Sequence, residues 1–231
     1  MRSPGVLVVA KSPVAGRVKT RLARLVGDTA AADLAAAAFL DTLDVCEARF
    51  GVGRRVVALD GELASAARGR ELAGRLRHWR VIGQSGQGLG SRLAGAHRDA
   101  AMIIDGPVVQ VGMDTPQLTS PALADLTRCL SIGDCDAVLA LAEDGGWWAL
   151  GLRDPRLARL LADVPMSTSD TGRCTRRSLR LAGARVAVGW WLRDVDDRAD
   201  AEAVSASCAH SRFAEAWRAV SAPQQLDAVS A

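Results

Sequence analysis

Two lysines stand close together in a sequence that otherwise contains none. The chain has 29 lysine and arginine residues, and only Lys11 and Lys19 are lysine. Both lie in KSPVAGRVKTR, directly after the apolar run GVLVVA and together with Arg17 and Arg21. Lysine is a compact point charge with three donors, whereas arginine presents a planar fork, so the two are not interchangeable at a crowded anion site. We interpret this segment as a loop that binds phosphate groups.

The same segment has two further features that suit a polyphosphate. Gly16 permits a positive φ or a close approach of the backbone to a ligand, and free N–H groups at the start of a helix attract anions. The Walker A and GxGxxG patterns are both absent, and a solvated basic loop is the alternative interpretation. The predicted nucleotide-binding residues of this loop are Lys11, Ser12, Pro13, Gly16, Arg17, Lys19 and Arg21.

A second glycine-rich stretch, QSGQGLGSRL, precedes a predicted helix. Its backbone could wrap a base or a ribose, and a flexible surface turn is the alternative. We include Gly88, Gly90 and Arg92 of this stretch among the predicted nucleotide-binding residues.

Acidic residues follow three of the predicted strands. Asp114, in VGMDTPQL, could hold a divalent cation between two phosphates, because Mg²⁺ takes one or two carboxylates together with phosphate oxygens and water; a helix cap or Asx turn is the alternative. The segment AEDGGWW offers carboxylates for sugar hydroxyls, a metal or base catalysis, although a hairpin turn would also explain it. The alternating acids of DVDD, residues 194–197, have a metal-ligand spacing, and a solvated loop is equally consistent with them.

Short apolar strands alternate with helical stretches along the whole chain. Strands are predicted at 5–10, 55–59, 79–82, 107–112, 137–141, 147–152 and 185–190, and helices at 29–50, 62–76, 121–130, 173–181 and 198–220. This alternation predicts an α/β fold with a mainly parallel sheet, in which strand 147–152 is antiparallel because the link before it is short. Ligands in such sheets bind beyond the carboxyl ends of the strands, where the motifs described above lie.

Composition limits the function classes. A length of 231 residues suits one domain, over 1–220, with 221–231 as a frayed tail. The net charge of +3 is spread along the chain, so we expect no nucleic-acid partner. No apolar stretch reaches the ~18 residues of a membrane span, and no signal peptide is evident, so we expect a cytoplasmic protein. The five cysteines form no CxxC and are expected to be free thiols.

The order of these motifs resembles a bacterial family of transferases with the nucleotide-diphospho-sugar transferase (GT-A) fold. The family is described as glycosyltransferase-like, or as associated with radical-SAM and selenocysteine-domain proteins, and it is similar to the 2-phospho-lactate guanylyltransferases. The resemblance covers about 6–200 and rests on KxPxxGxxKTRL, GxGxLGxRL, GxDxPxL, AEDGGWWxxGL and DVDD in that order. It implies a single-domain, Rossmann-like GT-A fold with a mainly parallel central sheet flanked by helices.

The resemblance also implies roles for individual residues. Lys11, Arg17 and Lys19 would lie near phosphate, and a Mg²⁺ or Mn²⁺ ion would be held by Asp114 and Asp196. The catalytic residues would be Lys19, Asp114 and Asp144. The acceptor would be bound by Glu143, Gly145, Gly146 and Trp147. This chain has Trp147-Trp148 where the family usually has tyrosine, Leu141 where a proline is usual, and a single acid at Asp114 in place of the DxD of many glycosyltransferases.

These observations favour a metal-dependent transferase that uses a nucleotide-activated donor, with glycosyl transfer from a nucleotide-diphospho-sugar as the first hypothesis. Nucleotidyl transfer, from a nucleoside triphosphate to a phosphorylated acceptor with release of pyrophosphate, is the alternative. A non-catalytic nucleotide-binding protein is a lesser alternative. The partners are then a nucleotide or nucleotide-sugar donor and a small-molecule acceptor, and an exposed Trp190-Trp191 pair would favour a homodimer.

Overall fold

A computed structural model describes residues 2–222 of the chain. Seven strands form one sheet: β1 (Gly5–Lys11), β2 (Arg55–Asp60), β3 (Arg80–Gly83), β4 (Val108–Gly112), β5 (Ala137–Leu141), β6 (Trp147–Leu152) and β7 (Val186–Val188). They lie in the order β3-β2-β1-β4-β6-β5-β7. Only β6 runs antiparallel to its neighbours, as its short link to β5 predicts.

The strand order reverses between β1 and β4. From β1 the chain builds outward through β2 to β3, and it then returns to place β4 on the other side of β1. Adjacent parallel strands whose connections leave in opposite directions open a crevice at their carboxyl ends, which is where ligands bind in open α/β sheets. Lys11 ends β1 and Asp114 follows β4 by two residues, so the sequence delivers its main motifs to this crevice.

Helices cover both faces of the sheet. The helices are α1 (Thr20–Val26), α2 (Asp28–Arg49), α3 (Gly69–Leu76), α4 (Gly88–Ala101), α5 (Ser120–Ile132), α6 (Thr171–Leu181), α7 (Arg198–Ser207) and α8 (Arg212–Ser221). Alternate residues of β1 enter opposite cores: Val6 and Val8 pack with α2 and α5, whereas Leu7 packs with α4. This alternation follows from the two-residue period of a strand and gives a three-layer α/β domain.

The helical prediction differs from the structure mainly at helix ends. The long second helix is preceded by a separate short helix, α1, and α3 begins at Gly69 instead of residue 62. A 3-10 segment, Pro155–Asp163, was not predicted. The predicted helix at 198–220 is interrupted because Ser211 caps a new helix, α8. Of the predicted tail at 221–231, residues 223–231 lie outside the described residues.

The prediction that all cysteines are free thiols is wrong for one pair. The sulfur atoms of Cys129, on α5, and Cys135, just before β5, are within bonding distance. Their spacing of six residues allows the helix end and the following loop to bring the two side chains together. Cys46, Cys174 and Cys208 are free.

Candidate ligand-binding cleft

The centre of the crevice is a contact between Lys19 and Asp114. Lys19 Nζ lies 3.1 Å from Asp114 Oδ1, and the lysine side chain is only 8% exposed. Asp114 is more open, with 43% of its side chain exposed. The two residues come from the loops that follow β1 and β4, so the contact lies at the point where the strand order reverses. The structure thus brings together two of the three predicted catalytic residues.

The backbone holds Lys19 in place by an unusual conformation. Lys19 precedes α1 with φ 47° and ψ 41°, in the left-handed region, where a side chain is strained. Its Nζ also donates a hydrogen bond to the Val195 carbonyl oxygen, 2.6 Å away. Non-glycine residues in this region tend to cluster at functional sites, because the surrounding structure must compensate the strain. Of the described residues, only Arg68 and Ser167 share this feature, and Ser167 also lines the cleft.

A basic cavity of about 280 Å³ lies on the β1 side of this contact. It is lined by Lys11, Arg17, Val18, Lys19, Thr20, Arg21, Met113, Asp114 and Asp196. Four of these residues, Lys11, Arg17, Lys19 and Arg21, are cations that the sequence predicted to bind the nucleotide. Their convergence on one concave surface supplies the donors and positive charge that a polyphosphate requires.

The remaining predicted residues of the first loop shape it instead of lining the cavity. Ser12 is buried, and its hydroxyl donates to the Glu62 carbonyl oxygen. The Pro13 carbonyl oxygen accepts a hydrogen bond from Ala67 N. Gly16 has φ +74°, which a glycine adopts without strain. These residues anchor the loop so that its cations face the cavity.

An acidic cavity of about 390 Å³ lies on the β4 side. Its apolar lining comes from Val9, Leu89, Leu93, Met113, Trp147, Trp148 and Met166. Its polar lining comes from Gln110, Asp114, Thr115, Asp144, Ser167, Thr168, Thr171 and Asp194. Met113 and Asp114 line both cavities, which therefore adjoin at the Lys19–Asp114 contact.

Asp194 was not among the predicted site residues, but it lies beside Asp114 in the acidic cavity. Burial raises its pKa to about 7, and the charge of Asp114 adds to this effect, whereas Lys19 opposes it. Asp194 belongs to the sequence motif DVDD, from which the family resemblance implies Asp196 as the metal ligand. Leu192 pairs with Ala142 beyond the end of β5, which places the following acidic segment at the carboxyl ends of the strands.

The other predicted acids differ in their position relative to the two cavities. Asp196 lines the basic cavity and is 3.2 Å from Arg21 Nη1. Asp144 lines the acidic cavity, and its Oδ1 accepts a hydrogen bond from Gly146 N. Glu143 is turned towards Arg193, at 2.6 Å, and is not part of the cavity lining. Asp144 is therefore the acid of this pair that faces the cleft.

The GGWW turn forms one wall of the acidic cavity. Gly145 has φ +88°, and a Cβ there would lie 2.0 Å from the Ser169 carbonyl oxygen, so the turn packs against the segment before α6. Gly146 and Trp147 line the cavity, and Trp147 Nε1 donates to Thr175 Oγ1 of α6. The glycines thus permit close packing of the turn, and the bond to Thr175 orients the Trp147 ring.

The predicted residues of the second glycine-rich stretch have structural contacts. A Cβ at Gly90 would lie 2.1 Å from the Leu161 carbonyl oxygen, so this glycine lets α4 approach the 155–163 segment. Arg92 pairs with Asp60 at the end of β2, at 3.1 Å. Gly88 has φ +81° in the first turn of α4. Their assignment to nucleotide binding remains a prediction, because Leu89 and Leu93 are the residues of this stretch that line the cleft.

The donor set of the cleft suits a hard divalent cation held by few protein ligands. Asp114 and Asp194 are neighbouring carboxylates, and carboxylate oxygens are the ligands preferred by Mg²⁺ and Mn²⁺. Within residues 2–222, no group of three or more His, Cys, Asp or Glu side chains is arranged to hold a metal ion. Such a cation would therefore need phosphate oxygens and water to complete its coordination, as Mg²⁺ commonly does.

Two other surface features lie away from the cleft. A larger cavity, of about 720 Å³, lies at the opposite ends of the strands, and its lining includes Arg2, Met102 and Arg156. Trp190 and Trp191 are 63% and 58% exposed. This is the exposure on which the homodimer prediction depends, and the oligomeric state itself stays a prediction. No helix within residues 2–222 combines the length and apolar character that crossing a membrane requires.

Comparison with solved structures identifies the fold. A candidate nucleotide-diphospho-sugar transferase from Desulfovibrio desulfuricans G20 is 24% identical, with a TM-score of 0.79 over 95% of each chain. A 4-diphosphocytidyl-2C-methyl-D-erythritol synthase from Anaerococcus prevotii DSM 20548 is 8% identical, with a TM-score of 0.55 over 90% of this chain and 99% of that one. A CMP:2-keto-3-deoxy-manno-octonic acid synthetase complexed with CTP is 12% identical, with a TM-score of 0.54 over 90% and 98% of the two chains. The predicted nucleotide-diphospho-sugar transferase-like fold is confirmed.

Comparison by sequence identifies the family. Residues 42–168 match the family described as "Uncharacterized protein conserved in bacteria (DUF2064)", and this match covers more than half of the chain. No curated protein matches the chain by sequence. The chain therefore belongs to the DUF2064 family and has the fold that its motifs predicted.

Proposed function

We propose that this member of the DUF2064 family is a transferase that depends on a divalent cation and uses a nucleotide-activated donor. The observation that carries the proposal is the Lys19–Asp114 contact, which separates a basic cavity from an acidic one at the reversal of strand order. A donor whose phosphates occupy the basic cavity would present its reactive atom at this contact. An acceptor in the acidic cavity would then lie within reach of that atom.

The donor phosphates would be held by this chain's cations. Lys19, fixed by the Val195 carbonyl oxygen, would donate to the phosphate oxygens where negative charge develops as the leaving group departs. Lys11 and Arg17 are exposed residues of the same cavity and would contact the outer phosphate oxygens. A buried, pre-positioned donor such as Lys19 stabilises developing charge without having to reorganise during the reaction.

A divalent cation would be held by Asp114 and Asp194. When bound, it would neutralise negative charge on the phosphate oxygens that complete its coordination. The sequence predicted Asp196 as the second ligand, but its contact with Arg21 and its place in the basic cavity favour a supporting role. Asp194 takes its place in the proposal because it lies beside Asp114.

Asp144 is the proposed base for an acceptor hydroxyl. It is an exposed carboxylate that lines the acidic cavity, and its orientation is set by the hydrogen bond from Gly146 N. In glycosyl transfer it would take the proton of an acceptor hydroxyl as that oxygen bonds to the anomeric carbon. The nucleoside diphosphate would leave into the basic cavity, where Lys19 and the arginines balance its charge.

Nucleotidyl transfer is the second candidate. It is supported by the fold shared with the CTP-bound synthetase and with the diphosphocytidyl-methylerythritol synthase. It is also supported by the single acid, Asp114, at the end of β4. In that reaction an acceptor phosphate would attack the α-phosphorus and pyrophosphate would leave.

The leaving group distinguishes the two reactions. The protein is incubated with Mg²⁺ or Mn²⁺ and a panel of nucleotide sugars and nucleoside triphosphates, and the released products are measured. Release of nucleoside diphosphate from a nucleotide sugar, lost in Asp114→Asn, is the expected result, with water serving as a slow acceptor. Release of pyrophosphate from a triphosphate would establish the second candidate instead. If the wild type releases neither product faster than Asp114→Asn does, the proposal is wrong.

A further inference from the structure

We infer that the acidic cavity binds an uncharged, hydroxyl-bearing acceptor with one apolar face, and that it excludes phosphorylated acceptors. This inference rests on the proposed function and defines the substrate class of the same site. It favours glycosyl transfer, because the alternative reaction requires a phosphate group in this cavity.

The charge of the cavity lining is the first argument. Asp114, Asp144 and Asp194 line the cavity, and no Lys, Arg or His within residues 2–222 contributes to its walls. A divalent cation held by Asp114 and Asp194 would balance those two carboxylates and leave Asp144 uncompensated. An anionic group bound beside Asp144 would meet a like charge and no cationic side chain of this cavity, because Lys19 and the cation lie at the boundary with the basic cavity; such a contact is costly in a partly desolvated site.

The start of α6 does not offer an alternative anion site. Helix N-termini attract phosphate through free N–H groups, but here the first two of those groups are already used. Thr171 N donates to the Thr168 carbonyl oxygen, and Gly172 N donates to the Gly145 carbonyl oxygen. Arg173, the first cation of this helix, is paired with Asp170 at 3.0 Å and is not part of the cavity lining.

Gln110 supplies a donor that fits a neutral polar ligand. This residue of β4 is only 3% exposed and lines the cavity. Its Oε1 is 3.0 Å from Nε2 of the fully buried His97, so the amide nitrogen is the polar group of this side chain that is left for a ligand. Among residues 2–222 this nitrogen has no hydrogen-bond acceptor. Gln110 and Asp144 line the same cavity and provide one amide donor and one carboxylate acceptor, the pair that a hydroxyl-rich ligand satisfies.

The apolar face of the ligand would lie against Trp147 and Met166. Both are partly buried and line the same cavity. The bond from Trp147 Nε1 to Thr175 Oγ1 uses the polar group of the indole inside the protein, so the ring contributes mainly apolar surface. A sugar ring or a glycoside, polar at its edge and apolar on its face, matches this combination of walls.

The test compares ligand pairs that differ only in one phosphate. Protein saturated with Mg²⁺ and a nucleotide is titrated with phenyl β-D-glucoside, phenyl β-D-galactoside and glycerol, and with the matching 6-phosphates and glycerol 3-phosphate. We expect at least one neutral member to bind at least tenfold more tightly than its phosphorylated partner. Gln110→Leu and Asp144→Asn should each weaken that binding about tenfold while nucleotide binding is kept.

A variant that adds a positive charge to the cavity tests the same inference in the opposite direction. Ser167 is exposed, lines the cavity and has no side-chain hydrogen bond among the described residues, so Ser167→Arg should fold and should reverse the preference towards the phosphorylated members. Tighter binding of phosphorylated ligands by the wild type would overturn the inference. So would the failure of every neutral member to bind at millimolar concentration to a protein that binds nucleotide. Loss of nucleotide binding itself would instead overturn the proposed function.

Discussion

At the scale of single residues, the presence of lysine at position 19 has a geometric explanation. Its Nζ is enclosed between the Val195 carbonyl oxygen and Asp114, and the side chain is almost fully buried. A single ammonium fits this space, whereas the planar guanidinium of arginine would need room for five donors. An otherwise arginine-based sequence therefore retains lysine where a compact charge is needed.

The substitution Lys19→Arg tests this explanation. We expect turnover to fall at least tenfold, which corresponds to about 1.4 kcal/mol of lost transition-state stabilisation. Arg128→Lys is the matched control, because Arg128 is exposed on α5 and, among residues 2–222, pairs only with Asp125; it should keep the activity of the wild type. Steady-state kinetics with the donor identified by product release provide the measurement. Equal turnover in the two variants would show that charge alone matters at position 19.

At the scale of elements, Gly90 shows what a sequence pattern cannot specify. Three glycines before a helix suggested a loop around a nucleotide. The structure instead begins α4 at Gly88 and packs Gly90 against the backbone of the 155–163 segment. The close approach depends on a 3-10 segment about 70 residues away, which has no strong local signal. Strands were predicted well because their apolar runs are local, whereas these helix contacts depend on tertiary packing.

A pair of glycine substitutions tests this packing role. Gly90→Ala should lower the free energy of unfolding by roughly 1–3 kcal/mol, because the added Cβ would collide with the Leu161 carbonyl group. Gly74→Ala is the matched control: Gly74 lies in α3 and a Cβ there meets no atom within 4 Å. It should raise stability by up to about 1 kcal/mol. Urea unfolding measures both, and a neutral Gly90→Ala would contradict the packing role.

The contact between α4 and β4 predicts a pH dependence of stability. Burial lowers the pKa of His97 to about 4. Between about pH 6.5 and 4, His97 is therefore protonated in the unfolded chain but neutral in the native state. Stability contributed by this site is therefore complete above pH 6.5 and is lost as the pH falls towards 4. Between pH 6 and 4.5, the free energy of unfolding of the wild type should fall faster than that of His97→Gln, by up to about 1.4 kcal/mol per pH unit. Parallel pH profiles of the two proteins would contradict this.

At the scale of the whole molecule, the strand order determines which surface binds the ligand. The cavity of about 720 Å³ lies at the amino-terminal end of β4, and none of its lining residues belongs to a predicted motif. The two smaller cavities lie at the carboxyl edge, where the order of strands reverses and where the motifs after β1 and β4 converge. This convergence could be predicted from the βαβ pattern alone. The sequence could not predict that Asp194, and not Asp196, lies beside Asp114. That placement depends on how the segment around Leu192 pairs with the chain beyond the end of β5.

The most direct test of the account is whether nucleotide and metal bind together at the Lys19–Asp114 contact. Thermal unfolding is measured with nucleotide sugars and triphosphates, with and without Mg²⁺ or Mn²⁺, for the wild type, Asp114→Asn and Met102→Glu. A ligand that binds only the folded state raises the melting temperature. The account predicts metal-dependent stabilisation of the wild type and of Met102→Glu, whose exposed side chain lies in the larger cavity, and none in Asp114→Asn. Metal-dependent stabilisation that persists in Asp114→Asn, or no stabilisation of the wild type by any nucleotide, would contradict it.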